Sequence, residues 1–188
     1  LASSLVRDLS IDARFIRSNI YDLRNVLNEK FDIIFTSYGV LAWLPDLKGW
    51  GKIIHDFLKK DGIFYIVEFH PVLGMFNDDG ELADQYFHDS KPVKYEGTGS
   101  YAEPNADFFH VSYEWFHSLS DIMNALITAG LKIEFVHEFP FSVYGDRPFL
   151  VKGQDGLWRH KNENVKAPLL FSIRAENRER LVPRPNAI

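Results

Sequence analysis

Four short clusters carry residues able to recognise or activate a ligand. Ser37-Tyr38-Gly39, with Trp43 close behind, joins a hydroxyl, an aromatic face and a residue without a side chain. Gly39 permits close backbone approach, and the Tyr38 ring would attract a sulfonium or ammonium group through its π face. Glu68-Phe69-His70-Pro71 ends in a histidine that could serve as general base or hold a substrate carboxylate or hydroxyl. Asn19-Ile20-Tyr21-Asp22 offers an amide oxygen for an exocyclic amine, an apolar wall for a flat ring and a carboxylate. His110, Tyr113 and His117 lie in an aromatic segment that can fold over the same cleft. Each cluster also has a purely structural reading. Asn19 and Asp22 can simply build a turn, Tyr38 and Trp43 can pack, and each histidine can be a hydrogen-bonded core residue. No metal site is expected: there is no cysteine, no His-x-x-x-His pair, and His110 and His117 are seven apart. No serine sits in a nucleophile-elbow sequence.

The elements that must position these residues centre on two apolar runs, Phe31 to Thr36 and Ile63 to Val67. Both are rich in β-branched and aromatic residues without polar alternation, as strands covered on both faces are. The segment between them predicts a helix from about Leu47 to Leu58, with Ile53, Ile54, Phe57 and Leu58 as its apolar stripe. Lys59, Lys60 and Gly62 read as its stop. The spacing is that of one right-handed β-α-β crossover. Upstream, Ala2 to Leu9 predicts the end of a helix, Ala13 to Ile16 a short strand, and Leu23 to Asn28 a helical turn. Downstream, Ser118 or Ser120 can cap a helix from about Asp121 to Ala129. Strands follow at Leu131 to Phe139 and Leu169 to Ile173, separated by a polar, Gly-rich stretch from Pro140 to Lys166 that reads as a long turn anchored by Leu157-Trp158. Residues 71–117 form a loop-rich aromatic insertion, expected as a lid or substrate wall. The carboxyl ends of the strands are the expected ligand edge. Asn19 to Asp22, Ser37 to Trp43, Glu68 to Pro71 and the turn after Phe139 all reach it.

Composition narrows the classes. The chain has 188 residues, 46% hydrophobic, 25% charged and 15% aromatic, with a net charge of -5. One domain with a sizeable core is expected, and nucleic acid is not an expected partner. No apolar run is long enough for a transmembrane helix and no signal peptide is visible, so a cytoplasmic, non-membrane protein is expected.

The motifs resemble class I S-adenosylmethionine-dependent methyltransferases of the small-molecule type. The resemblance rests on Phe31-Asp-Ile-Ile-Phe-Thr-Ser-Tyr-Gly-Val-Leu41, Trp43-Leu-Pro-Asp46 and Leu58-Lys-Lys-Asp-Gly62, where the family usually has Leu-x-Pro-Gly-Gly. Glu68-Phe-His-Pro71 and Tyr113-Glu-Trp-Phe-His-Ser-Leu119, followed by Ala129-Gly-Leu131, resemble one subgroup. It spans residues 1–174 and implies a Rossmann-like three-layer α/β sandwich, with a mostly parallel sheet in the order 3-2-1-4-5-7-6 and an antiparallel C-terminal strand. Residues 1–175 would form a partial methyltransferase domain and 176–188 a poorly ordered tail. S-adenosylmethionine is the implied cofactor, held through Asn19, Ile20, Ser37, Tyr38 and Gly39. Asn19 stands where the family usually has Asp. His70 is the implied base, and Trp43, His110 and Tyr113 would contact a small-molecule acceptor.

The family's E/D-x-G-x-G-x-G loop, and the acidic residue that holds the ribose, have no counterpart; Gly97-Thr-Gly99 lacks the strand and helix that would flank it. An N-terminally truncated domain is therefore expected, short of roughly 40 to 70 residues. Its exposed strand edge would favour a homodimer, and the chain as given would bind cofactor poorly and be inactive. The competing readings are a noncatalytic methyltransferase-like assembly module and a nicotinamide-dependent dehydrogenase.

Overall fold

A computed structural model describes residues 2–89, 91–99, 103 and 105–178. The predicted tail falls outside the described residues beyond 178. Its first residue, Glu176, ends a strand.

The core is a four-stranded sheet in the order β1-β2-β8-β5, formed by β1 (Phe31–Ser37), β2 (Leu58–Phe69), β8 (Leu170–Glu176) and β5 (Lys132–Phe139). β1 and β2 are parallel, while β8 runs antiparallel to both its neighbours. This corrects the expectation of a mostly parallel sheet: two of the three ladders are antiparallel. The reversed C-terminal strand sits between β2 and β5 and turns both ladders it touches, which leaves β1 and β2 as the one parallel pair of this four-stranded sheet. The order itself is the one implied for family strands 4-5-7-6.

A short helix α1 (Ala2–Asp8) opens the described chain, and helices α2 (Leu47–Phe57) and α3 (Leu119–Thr128) pack on one face of the sheet. Asp46 caps α2 by accepting from the Gly49 N–H at 2.9 Å. Ser118 and Asp121 cap α3 reciprocally, each side chain bonding the other's backbone N–H. Trp50 and Ile54 of α2 and Ile122 and Leu126 of α3 meet Phe64, Ile66, Phe171 and Ile173 in the main core. Trp50 crosses Phe64 edge-on with ring centres 5.6 Å apart, and each such buried side chain contributes about 1.5–3 kcal/mol. The other face is half-covered. Phe35 stacks on Tyr65 at 6.1 Å, yet Ile33 and Phe35 remain 65% and 55% exposed. Towards the end of β2 a second cluster covers that face, built from Leu73, Phe76, Phe149, Leu150 and Leu169, with Phe69 of β2 packed against it. Its roof includes a small hairpin, β6 (Leu150–Lys152) with β7 (Trp158–His160).

Two local expectations are also corrected. Ala13 to Ile16 form no strand, and Ile11 and Phe15 are 51% and 57% exposed. Among the described residues no strand lies beside these four to form a ladder, and their exposed backbone is left largely to water. Lys59 to Gly62 do not form a simple helix stop. They bulge within β2, whose register jumps from Phe31↔Leu58 to Ile33↔Ile63. Asp61 takes φ 60° there, and the Asn177 backbone ties the bulge down by accepting from Asp61 N and donating to Gly62 O.

Candidate functional site

At the carboxyl ends of β1 and β2 lies a cavity of about 690 Å³. The turn after β1 forms its first wall. Tyr38 and Gly39 both take positive φ, 40° and 76°, so the chain leaves the strand with successive backbone N–H groups converging. They converge on the Glu68 carboxylate, which is 3% exposed. It accepts from Gly39 N at 2.5 Å and Val40 N at 2.8 Å, and more weakly from Leu41 N at 3.4 Å. Phe69 N adds a fourth bond at 2.7 Å. Glu68 is thus the anion of a backbone nest, tying the end of β2 to the turn after β1.

His70 follows on the same edge and is buried. Its Nδ1 accepts from the Val72 N–H at 3.1 Å, which places the neutral ring's proton on Nε2. Nε2 lies 2.8 Å from Glu138 Oε1 on β5, but off the line of a hydrogen bond, and is sealed from solvent. Burial lowers the pKa of His70, against the pull of the Glu138 carboxylate. Burial thus favours the neutral form of a ring that lines the cavity.

Residues 71–117 bring the second wall. The segment forms the hairpin of β3 (Val93–Thr98) and β4 (Phe109–Glu114). It is tied to the turn after β1 by a bond from Trp115 N to Ala42 O at 2.8 Å. Along β4 the burial alternates: Phe109, Val111 and Tyr113 are exposed, while His110, Ser112 and Glu114 face the other way. Glu114, Trp115 and Phe116 line the cavity, and His88 stacks on Phe116 at 4.6 Å. Burial raises the pKa of Glu114, partly offset by Arg147. His117 donates from Nε2 to Leu44 O at 2.8 Å, and burial lowers its pKa. A third wall, Tyr144 to Arg147, comes from the segment between β5 and β8.

The structure therefore brings Tyr38, Gly39, Trp43, His70 and His117 to one cavity. The other candidates lie off it. Asn19 accepts from Tyr21 N at 3.0 Å and caps the 3-10 turn Ile20–Asn25. Ile20 packs against the main core. Ser37 closes β1 opposite Val67. His110 lies across from Gly97, its Nδ1 buried without a partner among the described residues, and Tyr113 is 49% exposed. Glu114 and Arg147 are among the lining residues that sequence reasoning misses. The alternation of Phe109-His-Val-Ser-Tyr-Glu114 is the available signal for Glu114; Arg147 has none. Among the described residues no group of three or more His, Asp or Glu could hold a metal ion, and no helix is long and apolar enough to cross a membrane.

No family model matches the sequence, and no curated protein matches it. Solved structures do. An S-adenosylmethionine-dependent methyltransferase from Clostridium acetobutylicum superposes with a TM-score of 0.59 at 15% identity, over 95% of this chain and 70% of that one. One from Mesorhizobium loti gives 0.52 at 16% identity, over 93% of this chain and 75% of that one. At such identity the likeness is one of fold: the chain is a Rossmann-like α/β sandwich whose architecture resembles that of S-adenosylmethionine-dependent methyltransferases.

Proposed function

We propose that the chain carries the acceptor side of an S-adenosylmethionine-dependent methyltransferase that acts on a small molecule. The supporting observation is the turn Tyr38-Gly39, held by Glu68 at the end of β1 and opening onto an aromatic cavity large enough for a small molecule. The turn fits the methionine end of the cofactor. Tyr38 has a ring 45% exposed, able to face a sulfonium, and Gly39 presents bare backbone. Asn19 and Ile20 are the residues for the adenine; the Asn19 amide NH2 stays available while its oxygen caps the turn. The cofactor would supply a methyl group made electrophilic by the sulfonium sulfur. The chain's own contribution is orientation: the cavity walls hold the acceptor beside the turn, and proximity supplies much of the rate in such transfers. His70 acts here by fixing the chain after β2, since both its nitrogens are engaged or sealed. No glycine-rich loop or ribose-binding acid is present in this sequence, so weak cofactor affinity is expected.

The test is a titration of the 15N-labelled chain with S-adenosylmethionine at millimolar concentration. Saturable amide shifts at residues 37–40 and 19–20 are expected. Shifts confined elsewhere, or none, would sink the reading.

A further inference from the structure

The cavity's charge and its aromatic content point to one class of acceptor. Tyr38, Trp43, Phe69, Trp115, Phe116 and Tyr144 present rings to it. Three carboxyl side chains and one guanidinium line it: Glu68, Glu114, Asp146 and Arg147. The charge of Glu68 is already matched by backbone N–H groups. His70 and His117, kept neutral by burial, add no positive charge. Glu114 differs from all of these. It is half-buried at the end of β4 with its side chain on the cavity side, and no hydrogen bond or ion pair joins its carboxylate among the described residues. Arg147, the one lining cation among the described residues, is exposed and attracts Glu114 only through space. Asp146 beside it offsets that charge, and His88, stacked on Phe116, is a further titratable group of the lining, with Asp84 and the Tyr95 hydroxyl near the end of the hairpin. A desolvated carboxylate without a donor is costly. A ligand that brings a positive donor relieves the cost, and aromatic faces around it add cation–π attraction.

We propose that this cavity binds its acceptor as an ammonium ion, with the charged nitrogen paired to Glu114 and an apolar or aromatic body against the rings. The assignment rests on the methyl-transfer reading only in naming the amine as acceptor; the binding stands on the cavity itself. Arg147, on the rim, sets a mild penalty on the cation and a mild preference for a second, anionic arm on the same ligand.

The test uses the whole chain and three probes of similar shape: 2-phenylethylammonium, 2-phenylethanol and 3-phenylpropionate, titrated calorimetrically without cofactor. The ammonium should bind at least about tenfold more tightly than either of the others, the scale of one charge-assisted hydrogen bond. Glu114→Gln should abolish that preference while the chain keeps its circular dichroism spectrum. Arg147→Gln should strengthen ammonium binding and weaken the carboxylate. Tighter binding of phenylpropionate, absence of any preference for the cation, or a preference that survives Glu114→Gln would overturn the proposal. Ammonium binding in a chain that shows no cofactor response would leave it standing while removing the methyl-transfer reading.

Discussion

Glu68→Gln is the most informative single change, because it keeps the shape of a buried side chain while disabling half of its bonds. One carboxylate oxygen serves Gly39 and Phe69, the other Val40 and Leu41. An amide has only one oxygen. Whichever way the substituted side chain turns, its NH2 faces backbone N–H groups and cannot accept from them. Directed at Val40 and Leu41, the amide loses one good bond and one weak one, and the remaining two lose their charge assistance. At about 1.5–3 kcal/mol for a hydrogen bond to a charged group, the total comes to about 3 kcal/mol. Solvent cannot rescue the orphaned N–H groups, since the site is 3% exposed. Glu68→Ala leaves Gly39, Val40 and Phe69 unsatisfied together and should cost about 5 kcal/mol, a large share of a domain's usual margin. Urea unfolding followed by the fluorescence of the four tryptophans should show the midpoint for Glu68→Gln falling by about 1.5 M at a slope of about 2 kcal/mol/M. Glu163→Gln, a change at an exposed glutamate, is the control. A shift for Glu68→Gln no larger than for Glu163→Gln would refute the nest as the element that holds the turn after β1.

Two further outcomes follow from packing and burial. Gly51 lies where α2 crosses α3, and a Cβ there would sit 2.7 Å from the Ala125 carbonyl oxygen. Gly51→Ala should therefore destabilise by about 1–3 kcal/mol despite its better helix propensity, and an unchanged urea midpoint would contradict the close crossing. His70 and His117 both have pKa values lowered by burial, so below about pH 6.5 the unfolded chain binds more protons than the folded one. Stability should fall as pH drops from about 8 to about 5.5. His117→Gln keeps a donor for Leu44 O and should make that fall shallower; an identical pH dependence of the urea midpoint would count against the burial argument.

What the sequence disclosed depended on whether an element's signal was local. β1, α2 and α3 carry their own marks: a β-branched run, the Asp46 cap, and the Ser118 box with Gly130 beyond. Ala13 to Ile16 have the composition of a strand, but a strand exists only through a ladder, and no partner lies beside them among the described residues. Lys59 to Gly62 combine cations and a glycine as helix stops do; that they bulge within β2 is decided by Asn177, far along the chain. The β3–β4 hairpin is hidden by the turn residues around it, although Phe109 to Glu114 alternate with period two. Overlooking that alternation moves the expected site by one residue. Tyr113 has the more conspicuous chemistry, and the pleat turns its neighbour Glu114 to the cavity instead. The β6–β7 hairpin could not be read at all, since Phe149 is made a core residue by Phe76 and Leu169, neither adjacent in sequence.

The position of the cavity follows from the reversed strand. β2 ends at Phe69 and β5 ends at Phe139, and both pair with Leu170 at the start of β8. Because β8 is antiparallel, the chain must enter it at the edge where β1, β2 and β5 leave. The turn after β1 and the long segment after β2 leave at this edge, and the antiparallel β8 keeps a third connection there, residues 140–169 between β5 and β8. Had β8 been parallel, the last of these would have crossed to the opposite edge, and Tyr144 to Arg147 could not face Glu114. The reversal of β8, which makes two of the three ladders antiparallel, thus supplies the third wall of the cavity. It also brings the lining arginine to the wall that faces Glu114, so the charge pattern on which acceptor recognition would depend is a consequence of strand direction.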